Sequence, residues 1–289
     1  MRVAGFVVLA TALAGAAFLF GLHHGSIRSP LYHYLLVLKK TAFGETLEFN
    51  TAGRYVRTED RASTPCPAQT ARTMVAVVFG QSNAANHLGH RYVGVDGRVL
   101  NFFAGRCYVA RDPLLGATGN MGSAWTLLGN KLIESGRYDS LLLVAIGTGN
   151  TSIAQWARED LRDELAARLR ELASARYAVT HFLWHQGEAD SGKTSLENYR
   201  TDLATLIAAT RAAFPDSAFW VARASACPGR PVDPRIREAQ ASVIDPSRRV
   251  YAGPDTDTLL ALEERYDGCH FSKLGQERLA ELWLRALDV

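Results

Sequence analysis

From residue 74 onward the chain repeats one pattern: a short apolar run, a polar turn containing glycine, then a helical stretch. The runs at 74–79 and 140–146 end in Gly80 and Gly147, and the run at 179–184 is followed by another glycine-containing turn. Shorter runs at 218–222 and 249–251 make five. Strands without polar alternation need cover on both faces, which indicates a parallel sheet between helices. Helical spacing lies between the runs: at 124–135, at Leu161, Leu165, Leu169 and Leu172, at Leu196, Tyr199, Leu203, Leu206 and Ile207, and at 274–287. The alternation predicts an α/β fold with helices on both sides of five parallel strands. Sheets of this kind place their sites at the carboxyl ends of the strands.

The front of the chain differs. Residues 3–22 carry no charge and one hydroxyl, Thr11. A helix of that length spans roughly 30 Å, a bilayer core. The segment reads as a signal anchor or as a cleaved signal peptide, which predicts a protein held at the membrane facing the periplasm or cell exterior, or secreted. Residues 23–73 read as a juxtamembrane segment and an extended arm, and 74–289 as the folded domain. Lys plus Arg number 32 against 29 Asp plus Glu, a net of +3, with no basic run. That balance excludes a nucleic-acid binder. Cys66, Cys107, Cys227 and Cys269 are an even set in an exported chain, which favours disulfides over buried thiols. Three pairings are possible; Cys66–Cys107 with Cys227–Cys269 joins chain neighbours and is the expectation. No Cys-x-x-Cys zinc spacing occurs.

The residues able to do chemistry follow the strands. Gly80-Gln81-Ser82-Asn83 closes the first run and presents a serine before a turn whose N–H groups suit an oxyanion, although Ser-Asn is also ordinary capping chemistry. Asp267-Gly-Cys-His270 precedes the last helix. A carboxylate three residues before an imidazole can fix its tautomer and leave the other nitrogen to take a proton from a serine. The second run opens into Gly149-Asn150-Thr151-Ser152-Ile153, with Trp156 beyond; the third opens into His185-Gln186-Gly187-Glu188-Ala189-Asp190. The Gly149 N–H and the Gln186 amide are donors suited to an oxyanion hole.

Taken together, these four blocks resemble the SGNH hydrolases, and within them the sialate O-acetylesterase / acetylxylan esterase branch, over residues 74–287. The resemblance implies a flavodoxin-like three-layer α/β/α sandwich and removal of acetyl groups from carbohydrate, with no metal or other cofactor. It makes Ser82 the nucleophile, His270 the base and Asp267 its orienter. It assigns the Ser82 N–H, the Gly149 N–H and the Gln186 amide to the oxyanion hole, and makes Glu188 a supporting residue near the base or the substrate. Gln81, Asn83, Asn150, Thr151, Trp156 and His185 accompany the blocks as supporting or substrate-binding residues. The branch usually carries a second glycine where Asn150 stands; asparagine tolerates the left-handed conformation that a glycine there would supply.

Rival readings fit less of the chain. Gly80-Gln81-Ser82-Asn83-Ala84 approaches the elbow of α/β-hydrolases, but that fold needs several strands before its serine. The Gly147/Gly149 loop lacks the third glycine and the ribose-binding acid of a dinucleotide site. His181 and His185 have a metal spacing only on a helix, and the run they lie in is strand-like; His181 reads as a satisfied strand residue and His185 as a loop residue near the site. The tryptophans read as core, with Trp156 and Trp184 also able to line a sugar site. The same triad could serve a polysaccharide O-acetyltransferase, and the scaffold could serve a non-catalytic glycan-binding protein.

Overall fold

The computed structural model of the protein describes residues 47–229 and 231–288, together with Tyr34, Val37, Leu38, Lys40 and Thr41. The apolar segment 3–22 lies outside the described residues. Among the described residues no helix is long and apolar enough to cross a membrane. The chain divides into two compact units, Met1–Arg57 and Thr58–Val289. In the first, Phe49 and Tyr55 pair as an antiparallel bridge with their rings edge to face at 5.7 Å. Asn50 Oδ1 accepts from the Ala52 and Arg54 N–H groups, both at 3.0 Å, and so closes the turn between them.

The second unit holds the sheet. Its strands are β1 (Ser63–Thr64), β2 (Thr73–Gly80), β3 (Val99–Phe103), β4 (Arg106–Val109), β5 (Ser140–Ala145), β6 (His181–His185), β7 (Ala218–Arg223) and β8 (Val250–Asp255). Its helices are α1 (Ala124–Glu134), α2 (Ile153–Arg158), α3 (Asp160–Ser174), α4 (Leu196–Ala213), α5 (Pro234–Ser242) and α6 (Lys273–Ala286). The strand order is β1-β4-β3-β5-β2-β6-β7-β8. From β3 to β8 every neighbouring pair is parallel; β1 and β4 are antiparallel to their neighbours.

Each of the five predicted runs is a strand, but the sheet is larger than expected, with eight strands, and mixed rather than purely parallel. The additions are a hairpin, β3–β4, and the two-residue β1 that pairs with β4. Val99–Phe103 and Arg106–Val109 are joined by Ala104 (φ 50) and Gly105 (φ 72). Both turn residues have positive φ, as a twist-matched two-residue hairpin requires. Gly105 supplies that conformation at no cost, whereas Ala104 carries no sequence signal for it. The Cys66–Cys107 disulfide ties the segment beside β1 to β4, and Cys227–Cys269 also forms, so both expected pairings are present.

Alternation along the strands builds two cores. Val75, Val77 and Phe79 point to one face with Phe182, Trp184 and Phe219, against Trp156, Leu165, Leu169, Tyr199 and Leu203. Met74, Ala76 and Val78 point to the other, against Trp125, Leu128, Leu132, Leu279 and Trp283. This is the three-layer α/β/α sandwich. Burying one such apolar side chain stabilises by about 1.5–3 kcal/mol, and β2 is buried along its whole length, so it is the axis of the fold.

The chain runs from β2 to β3 and β5 on one side, then crosses to β6 on the other. Such a reversal opens a crevice at the carboxyl ends of the strands. Register brings three turns to one level there: Val78 pairs with Ala145 and Gly80 with His185. Gly80 has φ +127, and a Cβ on it would lie 2.0 Å from the His185 carbonyl oxygen, so only glycine passes between β2 and the serine turn.

Candidate active site

Ser82 opens a single 3-10 turn, Ser82–Ala84, directly beyond β2. The preceding residue continues the sheet, its N–H donating to the His185 carbonyl at 3.1 Å. The serine is thus held by strand geometry rather than by a free loop. N–H groups in a first turn have no partner within the turn, which leaves the Ser82 N–H without a bond inside it. Ser82 is 6% exposed and His270 8%, so both sit at the floor of the crevice.

The Asp267–His270 pair forms as the spacing predicts. Asp267 Oδ2 lies 2.6 Å from His270 Nδ1, and Oδ1 accepts from the backbone N–H groups of His270 (2.7 Å) and Cys269 (2.9 Å). Burial opposes the charge on Asp267, but these donors outweigh it and hold the carboxyl below the ordinary carboxylate range. The carboxylate therefore takes the Nδ1 proton as a hydrogen bond and leaves Nε2 as the acceptor. Two rings stack on the imidazole, His87 at 5.6 Å and Tyr266 at 5.9 Å. Tyr266 Oη donates to the His87 carbonyl at 2.9 Å, which closes that stack.

The serine turn and the histidine loop touch. Asn83 Nδ2 donates to the Cys269 carbonyl at 3.2 Å and to Glu188 Oε1 at 2.7 Å. Ser82 Oγ and His270 Nε2 make no hydrogen bond to each other in this structure; catalytic contacts of this type are commonly long without substrate and tighten when it binds.

The oxyanion assignments need correction. Gln186 does not face the crevice. It is fully buried, its Nε2 donating to Asp190 Oδ2 (2.5 Å) and the Thr151 carbonyl (2.9 Å), while its Oε1 accepts from Tyr199 Oη (2.9 Å). An amide with these bonds has no donor left for substrate. Gly149 does lie beside the serine turn, because the Thr148 N–H donates to the Gly80 carbonyl at 2.9 Å. Its own N–H, however, donates to Thr118 Oγ1 at 2.9 Å.

Several supporting residues also lie below the site rather than in it. Trp156 is fully buried, with Nε1 on Thr151 Oγ1 at 3.0 Å and edge-to-face contacts to Phe79 and Trp184. Neither Trp156 nor the equally buried Trp184 can line a sugar site. Thr151 is buried, with its hydroxyl on the Thr148 carbonyl. Gln81 Oε1 accepts from the Ala189 N–H at 2.9 Å, which staples the β6 turn to the serine turn. His185 ends β6 rather than standing in a loop. It is fully buried, and burial and then the Arg265 charge push its pKa down to about 3, so it is neutral. Asn150 is exposed at the rim with φ 58, the left-handed conformation that its place in the block requires. His181, as read, is a satisfied strand residue, with Thr180 Oγ1 and Tyr138 Oη on its two nitrogens.

Four residues around the site carry no local sequence signal: His87, Thr118, Tyr266 and Arg265. Arg265 is 2% exposed, lies over the Phe271 ring at 4.3 Å and donates to the carbonyls of Leu259, Cys269, Thr256 and Ala226. It fixes the loop that bears His270. Only the closing of that loop by the fold brings these residues together.

A serine in the turn beyond the first parallel strand, a His-Asp pair before the last helix and a three-layer sandwich with its crevice at the strand ends define an SGNH-type serine esterase. Residues 72–287 match the profile of the carbohydrate esterase, sialic acid-specific acetylesterase family, and the chain belongs to that family. Its activity is O-deacetylation of carbohydrate. Among solved structures it is similar to an Arabidopsis thaliana protein (20% identity, TM-score 0.60, covering 74% of this chain and 97% of that one). It is also similar to NanS (14% identity, TM-score 0.51, covering 74% and 96%). At these identities the likeness shows the fold alone. No curated protein matches the chain at a significant level.

Proposed function

We propose that Ser82 is the nucleophile of this esterase, His270 its general base and Asp267 the group that orients and charge-stabilises His270. Ser82 Oγ attacks the acetyl carbonyl while His270 Nε2 takes its proton. The oxyanion is received by the Ser82 N–H, and the Gly149 N–H joins it when substrate displaces the Thr118 hydroxyl. His270 returns its proton to the sugar oxygen as that alcohol leaves. Water, deprotonated by the same imidazole, then releases acetate from Ser82. The observation that carries this reading is the 2.6 Å Asp267–His270 bond on a loop whose Cys269 carbonyl is held by the residue next to Ser82.

The test is labelling with a fluorophosphonate followed by peptide mapping, with acetate release measured beside acetyl transfer to an added glycan. Label on Ser82, and acetate release that disappears in S82A, are expected. Label elsewhere, or acetate release unchanged in S82A, refutes the assignment.

We also propose that the enzyme acts outside the cytoplasm, anchored by or released from residues 1–22. The uncharged run at 3–22 and two disulfides support this. N-terminal sequencing of the protein from membrane and soluble fractions distinguishes the two forms, and recovery of the intact chain from cytosol alone refutes both.

A further inference from the structure

Three turns of the site meet at one buried amide. Asn83 is fully buried, and its Nδ2 bridges Glu188 Oε1 and the Cys269 carbonyl. Both partners are acceptors, which fixes the amide: turned over, its oxygen would face two oxygens. Each end of the bridge stands beside a reacting group, since Asn83 follows Ser82 and Cys269 precedes His270. The Cys269 carbonyl is held from the other side by Arg265 Nη1 at 2.6 Å. The histidine loop is therefore tied to the serine turn through one carbonyl that takes two donors, on a residue also held by its disulfide to Cys227.

Glu188 is the third corner. It is 1% exposed, so no substrate reaches it. His185 Nε2, 3.8 Å away, belongs to a neutral ring and does not neutralise it. A carboxyl is costly to bury, and an apolar side chain would fill this space more favourably. Burial pushes the carboxyl above its ordinary range, with the Asn83 bond opposing that; what Glu188 supplies is an oxygen, Oε1, that accepts from the Asn83 amide at 2.7 Å and locks it from the β6 side.

We propose that Glu188 is a positioning residue for deacetylation: through Asn83 it holds the His270 loop in register with the Ser82 turn. The proposal rests on the reading of Ser82 and His270 as nucleophile and base. Without that acceptor the Asn83 amide rotates, and the Cys269 carbonyl is left to Arg265 alone.

The test compares E188A, E188Q, N83A and the E188A/N83A pair in the full chain, with kcat and KM for an aryl acetate and the fluorophosphonate labelling rate of Ser82. A shift of about 1 Å between reacting groups costs about 10²-fold, so E188A is expected to lose about that in kcat. KM should stay within about threefold, because no substrate contact is removed. E188Q keeps an acceptor oxygen and should restore most of the rate. N83A should match E188A, and the double variant should be no worse than either, because one link is cut in all three. Wild-type kcat in folded E188A, a loss confined to KM, an E188Q as impaired as E188A, or losses that multiply in the double variant would each overturn the proposal. Should E188A not fold, the kcat–KM split in N83A and rescue in E188Q decide it by the same criteria. Absence of label on wild-type Ser82 refutes the underlying catalytic reading instead, whereas wild-type labelling of Ser82 in E188A refutes the positioning role alone.

Discussion

Replacing Asp267 with asparagine separates what this carboxylate does for the fold from what it does for the reaction. Oδ1 accepts two backbone N–H bonds, from Cys269 and His270, and an asparagine oxygen can keep both. The loop should therefore stay closed, with a stability change within about 1 kcal/mol. The other half of the side chain fails. In place of Oδ2, at 2.6 Å from Nδ1, stands an NH₂ group, so Nδ1 must become the acceptor and Nε2 carries the proton. The imidazole can then no longer accept from Ser82. The imidazolium formed during attack also loses its counter-charge. Two unit charges about 4 Å apart interact by about 4 kcal/mol at an effective dielectric of 20. The Asp267 side chain is 42% exposed, so solvent screening reduces this to roughly 2–3 kcal/mol. At about 1.4 kcal/mol per decade that is roughly 30- to 150-fold, and the inverted tautomer deepens the loss toward about 10⁴-fold in kcat. The assay is acetate release under saturating substrate, with thermal unfolding measured in parallel. A folded D267N that keeps more than about a tenth of wild-type kcat would refute the reasoning, as would a kcat loss no larger than its stability loss explains.

Two further outcomes follow from packing and charge. W156A should cost about 3–5 kcal/mol of stability, read as a lower denaturation midpoint, because a fully buried ring packed on Phe79 and Trp184 is removed; a stable W156A with a raised KM would instead return the residue to the substrate site. Asp233 is held down at about 2 by the Arg235 side chain, with the Gly192 and Arg235 N–H groups adding to it. Its folded pKa lies below the ordinary 3.8, so its contribution to stability is present above about pH 4 and is lost as pH falls toward 2. D233N should flatten the decline of melting temperature in that interval, and an unchanged slope would refute the assignment.

The strands were legible because a buried parallel strand leaves a continuous apolar run. The stretches at 74–79 and 140–146 can be satisfied in few other ways. The β3–β4 hairpin was not legible, because Asn101 and Arg106 interrupt its pattern and Ala104 gives no warning of a positive φ. The site divides along similar lines. Asp267 and His270 are three residues apart, so their contact is local and their spacing announces it. Gln186 belongs to a recognisable block, yet nothing within that block tells whether its amide faces a crevice or Tyr199 and Asp190. Trp156 was ambiguous for the same reason, since a tryptophan can be a wall or a core and burial alone separates the two.

Local pattern by itself thus determined the alternation of strand and helix, the turns that follow the strands and the pairing of a carboxylate with an imidazole. Each of these depends on residues within a few positions of one another. Tertiary structure alone decided which donors remain free for substrate. Thr118 on the Gly149 amide, Asn83 between Glu188 and Cys269, and the His87 ring on His270 are contacts across distant segments. A hydrogen bond has few partners to give, and which ones are taken is known only once the loops have closed.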